Sequence, residues 1–588
     1  MNEEYRKKMR RGMAGVYGAA SLSLYSLLIV FCFLFSVSCS NPTVPASYTD
    51  SKSLPDIYPD YAEVTIPINM APLHFQLMSQ ADDVVTRFSG GGEEIVCGGA
   101  KAMPDIDEWR ELVDKCKDGK MSVEVFAQNG GQWTRFKPFN IYVSPDSIDP
   151  WLSYRLISPS YITFEELTIN QRCLENYDER IIYDNMLCSN EAEGQCINCH
   201  NYQCGNPNKM QFHARLAHGG TLINLDGKLI KTNLKTDSTI SAGVYPAWHP
   251  KRNLIAYSTD KTQQVFHTRD LNKIEVFDSQ SDLILYDVDA GEVRIVENRP
   301  DEFEVFPHWS PDGKYLYYCS AHFEFCDTVS AETDVIMNFK DVKYNIYRKA
   351  FDEQTLTFGP RELVFDAAAL GLSATLPRVS PDGSFLLLSV GEWGCFHIWH
   401  RDADLWLVDL KNPTPLSDKG STQSTNPVPQ SDKRMASQSA RPVDGMTQAT
   451  PRATSQTDGV TQATSRAAGK ATAHSPIITL KNNQFIAHPF AEVNSPDVEA
   501  YHTWSTNGRW IVFSSRRYDG NYTRPFFAHV DKDGHATKPF ELPCDDPDYH
   551  RQLMRSYNIP ELMTGPVTVT PQAFADALKG ETKAAKLK

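Results

Sequence analysis

Five consecutive residues, Cys196-Ile197-Asn198-Cys199-His200, spell the pattern C-x-x-C-H. That order suits covalent attachment of a c-type haem. Two thiols two residues apart can each add to a vinyl group of one porphyrin, and the histidine that follows can ligate the iron from below. With 13 Cys and 16 His in 588 residues, chance alone produces the pattern about 0.01 times. Two other uses of the same residues stay open: a vicinal redox disulfide, and a zinc knuckle made by Cys188, Cys196, Cys199 and Cys204. In the haem reading, Cys196 and Cys199 hold the porphyrin and His200 is the proximal iron ligand. Met210, His213 and His218 follow closely, and Met210 or His213 is the favoured distal ligand. A methionine there raises the potential and a second histidine lowers it. If Lys209 to Arg215 forms a helical turn or two, Met210 and His213 share a face at i, i+3.

The compartment decides among these uses. Arg6, Lys7, Lys8, Arg10 and Arg11 precede an apolar run from about Met13 to Val37, which ends in Ser36-Val37-Ser38-Cys39. A basic start, an apolar stretch and small residues before a cleavage point describe a signal peptide over 1–38. Cys39 after a small residue resembles a bacterial lipobox, which implies cleavage before Cys39 and acylation of its thiol. The alternative is an uncleaved membrane helix, since the run is long enough to span a bilayer. Either way the remainder is expected outside the cytoplasm, and the lipobox reading places it in the cell envelope, held by lipid and facing the periplasm, with the outer membrane favoured. Thiols there tend to be oxidised, and Cys188 with Cys204 is the first disulfide to consider. Removing residues 1–38 takes away five basic and two acidic side chains, so the net charge moves from −15 to −18. So acidic a chain has no electrostatic footprint for nucleic acid.

Residues 39–60, rich in Ser, Thr and Pro, read as a tether. From 61 to 150 strand patterns dominate, as in Ala62-Glu63-Val64-Thr65-Ile66, Ser122 to Phe126 and Asn140 to Val143. One helix is expected from Asp105, a suitable N-cap, to about Asp118. This is a β-rich, sandwich-like module. Residues 151–222 read as a short, partly helical haem c segment, with a helix over Glu165 to Asn185.

Beyond residue 240 the chain repeats itself. The copies are YPAWHPKRNLIAYST from Tyr245, FPHWSPDGKYLYYCS from Phe306, LPRVSPDGSFLLLSV from Leu376 and YHTWSTNGRWIVFSS from Tyr501. The matching positions Trp248, Trp309, Val379 and Trp504 are 61, 70 and 125 residues apart. The last gap holds 418–475, a 58-residue Ser/Thr/Gln/Ala stretch with no Phe, Trp, Tyr, Leu or Ile; without it the gap is 67. Such a stretch buries no core, so it reads as a disordered insertion in a loop, with an internal 14-residue duplication. Each unit offers a strand with an aromatic, a tight Pro-Asp-Gly turn, a returning strand and a second hairpin. Four strands per roughly 60 residues make a propeller blade, and circular closure protects the sheet edges.

The W-S-P-D-G-K core resembles the TolB-type, WD40-like propeller repeat, over about Leu222 to Pro543 without the insertion. The resemblance implies a propeller of about four to six blades over 223–417 and 476–565. After Pro543, Tyr549, Leu553 and Met554 have helical spacing before a proline break and read as a packing segment, and the Lys-rich 566–588 reads as a frayed tail. Four copies are clear, and a hairpin at Thr221 to Lys235 offers a fifth. His249, His308, His397, His400 and His502 stand near the repeats but out of register with one another, which argues against a ring of metal ligands. The chain as a whole is similar to exported, lipid-anchored propeller proteins with one haem c motif, loosely grouped with cytochrome c biogenesis or TolB-like proteins. That implies a mainly β electron carrier, its propeller docking a redox partner or another envelope protein. The alternatives are a binding scaffold with a structural haem, and an oxidoreductase with an open iron site. No catalytic motif is present.

Overall fold

The computed structural model describes residues 42–158, 166–189, 193–411 and 485–588. Cys39, the expected signal peptide and the low-complexity stretch 418–475 lie outside them. Among the described residues no helix is long and apolar enough to cross a membrane.

The chain is mainly β. Its N-terminal module has a seven-stranded sheet, a three-stranded sheet and the helix Ile106–Lys115, which share one hydrophobic core. Asp105 caps the helix by accepting from the backbone N–H of Asp107 at 2.8 Å, and Trp109, Leu112 and Val113 face inward. The expected tether is part of this module: Thr49–Asp50 and Ile57–Tyr58 pair with its strands.

Six sheets follow, here called I to VI, each containing four antiparallel strands. Sheet II is built from 195–233, III from 244–297, IV from 302–365, V from 373–489 and VI from 499–541. Sheet I joins the two ends of this region: Ser556–Met563 pairs with Trp151–Ile157, which continues to Thr168–Cys173 and Glu179–Asp184. The first strands of II to VI and Ser556–Met563 touch their neighbours in cyclic order, from Gln195–Gln203 through Val244–Trp248, Glu302–Trp309, Ser373–Val379 and Glu499–Trp504 to Ser556–Met563 and back. Asp409 pairs with Ile486, so the chain leaves and re-enters sheet V within one hairpin, where the insertion was expected.

Two further expectations are corrected. Among its described residues, the segment expected to be partly helical is mostly strand: Thr168–Cys173 and Glu179–Asp184 belong to sheet I, and Lys209 to Arg215 lies within the strand Asn206–Leu216. The β-branched and aromatic residues here pack against cross-strand neighbours, which overrides local helical spacing. The hairpin at Gly220–Leu225 and Lys228–Asn233 is the outer half of the sheet that contains C-x-x-C-H. The frayed tail is ordered: Pro571–Lys579 is a helix that buries Phe574, Ala575 and Leu578. After it Lys583–Ala584 and Lys586–Leu587 add short parallel strands to sheets II and III.

The repeat turns show why weak copies still fold alike. In Pro311-Asp312-Gly313 the Asp312 carboxylate accepts from Ser310 Oγ at 2.6 Å and from Lys314 N–H at 3.0 Å. Asn507 makes the matching pair of bonds with Ser505 and Arg509 in the Thr-Asn-Gly copy. In the first copy His249 Nδ1 accepts from the N–H groups of Lys251 and Arg252 at 3.2 Å. A side-chain acceptor placed against turn N–H groups is the common requirement.

Candidate functional site

Each of the six central strands carries a bulge at the same place. Its first residue has a positive φ: Cys199, Tyr245, Phe306, Leu376, Tyr501 and Ile559, all between 49° and 58°. The ladder register slips across this point in every sheet. Bulges re-aim the side chains beside them. Here the six residues meet, with His200, Pro246, Pro307, Arg378 and Glu561, around a constriction of about 30 Å³. Tyr245 and Phe306 stack edge-on across it, their centroids 4.6 Å apart.

This register recasts the haem motif. Cys199 occupies the bulge position held elsewhere by Tyr, Phe, Leu or Ile, and His200 the next position, held by Pro246, Pro307, Pro377, His502 and Pro560. Cys199 and His200 are each only 2% exposed. Burial pushes the Cys199 thiol up and carries His200 down to about 3, with Arg155 adding to the latter. His200 Nε2 has no hydrogen-bond partner. Cys196 is half-buried and pairs across the sheet with Arg215.

The surroundings of Cys199 and His200 leave little room for a porphyrin in this arrangement. Cys196 lies in regular strand and Cys199 opens the bulge, so the bulge rather than simple alternation sets how the two sulfurs face. A space of 30 Å³ at Cys199 and His200 is far below the roughly 300–1,000 Å³ of cofactor-sized pockets. The distal candidates are not brought opposite His200 across an open slot. Met210 is fully buried in a core with Ile197, Phe212 and Phe574. His213, on the same strand, pairs with Asn198 and holds Thr221 Oγ1 at 3.1 Å through Nδ1, and burial takes it down to about 3. His218 is exposed.

The zinc and disulfide readings meet the same obstacle. Cys188 is buried with its Sγ 3.6 Å from the Ala575 carbonyl, whereas Cys204 is exposed with its Sγ 3.8 Å from the Pro250 carbonyl. All eleven described cysteines are free, and no group of three or more His, Cys, Asp or Glu among the described residues could hold a metal.

On one side of the constriction the space opens into a pocket of about 510 Å³. Five polar side chains from five sheets converge in it: Asn201, His308, Arg378, Thr503 and Glu561. All stand two residues after the bulge residue; the sixth such position is Ala247. Pro246, Pro311 and Trp504 supply apolar wall. Asn201 Nδ2 donates to Glu561 Oε1 at 2.8 Å, and its Oδ1 accepts from the Trp248 N–H at 3.2 Å. Glu561 Oε2 is buried without a partner, and burial raises this carboxyl to about 7 against the pull of Asn201, Arg378 and the Tyr202 backbone N–H. Burial lowers Arg378, while Glu561 and Cys319 oppose the change. Burial, Arg378 and His502 keep His308 neutral. Sequence alone showed His308 here; Asn201 and Glu561 were hidden because the copies C-H-N-Y and I-P-E-L lack the Pro-Asp-Gly turn.

A second cluster has catalytic geometry without access. Cys544 Sγ is 3.4 Å from His550 Nε2, and His550 Nδ1 is 2.7 Å from Glu541 Oε1. That is the order of thiol, base and orienting carboxylate. The thiol is buried, however, and the Tyr557 hydroxyl shares His550 Nε2 at 3.0 Å. Tyr58 and Tyr61 of the N-terminal module donate to Glu541, so the cluster joins that module to sheet VI.

No family model and no curated protein matches the chain. Among solved structures, an apocarotenoid oxygenase mutant from Synechocystis aligns over 85% of this chain and 98% of its own, at 11% identity and a TM-score of 0.31. Prolyl oligopeptidase B from Galerina marginata aligns over 67% of this chain and 42% of its own, at 10% identity and a TM-score of 0.31. For a prolyl endopeptidase the figures are 46%, 35%, 14% and 0.27. The chain thus spans less than half the length of these peptidases, and likenesses this faint carry no conclusion about fold or activity.

Proposed function

We propose that the six sheets are the blades of a β-propeller shut by Ser556–Met563, and that the chain is a recognition protein whose channel-mouth pocket holds a small ligand. The observation that carries this reading is the convergence of polar side chains from five sheets in one pocket of about 510 Å³. A pocket with apolar walls and a few convergent polar groups is the usual form of a small-molecule site. The cyclic order of the central strands and the bulge shared by all six support the propeller. The basic start, the apolar run and Cys39 support a lipid-anchored place on the exported side of the envelope. Thr564 is exposed at the pocket rim, so Thr564→Trp should obstruct the mouth without entering a core. Ligand-observed NMR of the full chain with a mixed library of charged and neutral fragments tests the reading. Hits should vanish with Thr564→Trp; hits that survive it unchanged would place binding elsewhere and end the proposal.

The competing proposal is the haem c electron carrier, whose propeller docks a redox partner. The motif itself and the unpartnered His200 Nε2 favour it; the narrow space at Cys199 opposes it. Protein made alongside a haem-attachment machinery separates the two. A mass equal to the bare polypeptide with any lipid, and no visible absorption, leaves the recognition protein; an added haem mass reverses the choice.

A further inference from the structure

The pocket's two ionisable groups are incompletely satisfied in complementary ways. Arg378 donates through one guanidinium nitrogen to the Pro377 carbonyl at 2.8 Å. Among the described residues it has no carboxylate at ion-pair distance. Its planar fork is suited to a bidentate carboxylate, and a desolvated guanidinium without an anion is costly. Glu561, 8% exposed, uses Oε1 for Asn201 and leaves Oε2 with no partner. A buried acceptor left open costs free energy until a donor meets it. Asn201 is tied to Glu561 and to the Trp248 N–H, so it cannot turn to fill either vacancy. Both groups line the same pocket, beside the apolar surfaces of Pro246, Pro311 and Trp504.

Resting on the channel-mouth reading, we infer that the ligand is a small amino-acid-like zwitterion with an apolar body, its carboxylate on Arg378 and its ammonium on Glu561 Oε2. A phosphate is disfavoured because the pocket offers one guanidinium, no lysine and an adjacent carboxyl group. A neutral ligand leaves Arg378 without an anion.

Isothermal titration of the full chain with four probes tests this: L-phenylalanine, 3-phenylpropanoate, phenethylamine and 2-phenylethanol. L-Phenylalanine should bind about 10-fold or more tighter than either singly charged probe, in line with a charge-assisted hydrogen bond lost in each. Arg378→Met should erase its advantage over phenethylamine, and Arg378→Lys should restore part of it. Glu561→Gln should erase the advantage over 3-phenylpropanoate. Equal binding of all four probes, lost together in Thr564→Trp, overturns the zwitterion while leaving the pocket reading in place. Absence of binding by every probe overturns the zwitterion too, and fragment hits sensitive to Thr564→Trp then decide the pocket reading separately.

Discussion

Glu561→Gln removes one proton-binding group from the pocket and keeps the oxygen that Asn201 Nδ2 needs. In the folded chain, burial raises this carboxyl from 4.5 to about 7. Between those values the folded protein holds a proton that the unfolded chain has already released. The stabilising contribution is therefore full below pH 4.5 and is lost as pH rises through about 7. At about 1.4 kcal/mol per pH unit, the loss is of the order of 3 kcal/mol. The side chain is nearly fully buried, so solvent screening removes little of it. Asp278, Asp282, Asp404 and Glu304 are also raised by burial, and they cancel when the variant is compared with the parent. Urea unfolding of both proteins across that pH interval should show the variant gaining stability relative to the parent as pH rises. A constant difference between the two curves would refute the burial of an open Glu561 carboxyl.

Met210→Ala should lose about 2–5 kcal/mol in urea unfolding, because it empties a fully buried site; a loss below that range would free Met210 for another role. Gly313→Ala should cost more than about 1 kcal/mol, since Gly313 has a φ of +79° and a Cβ there would lie 2.5 Å from His249 Nε2. Thermal melting checks it, and an unchanged midpoint would contradict the turn geometry. Brief iodoacetamide treatment of the native protein should alkylate exposed Cys204 and Cys326 and spare buried Cys199. Peptide mass mapping reads the result, and early labelling of Cys199 would show that the constriction opens.

Much of the architecture was legible because it is written in local chemistry. Asp105 before a 3.6-residue apolar pattern marks a capped helix. Pro-Asp-Gly between alternating strands marks a turn. The spacing of Trp248, Trp309, Val379 and Trp504 locates the insertion once 418–475 is removed. Short windows misled where tertiary packing outweighed propensity. Lys209 to Arg215 has helical spacing, yet its residues are held between two strands of one sheet. The segment after Pro543 shows a proline break, but Pro560 stands at the bulge of the strand that completes sheet I.

The five residues of C-x-x-C-H are plain in the chain, and their chemical capacity follows from composition and order alone. What surrounds them does not. Ser556–Met563 lies some 350 residues beyond them in sequence, and only pairing with Trp151–Ile157 brings it beside Gln195–Gln203. Asn201, Arg378 and Glu561 likewise become one site only when strands from distant parts of the chain bring them to one pocket. Local motifs depend on covalent order, which a sequence states outright. A pocket depends on which long-range contacts repay the entropy of closing the chain, and that balance is struck across the whole molecule.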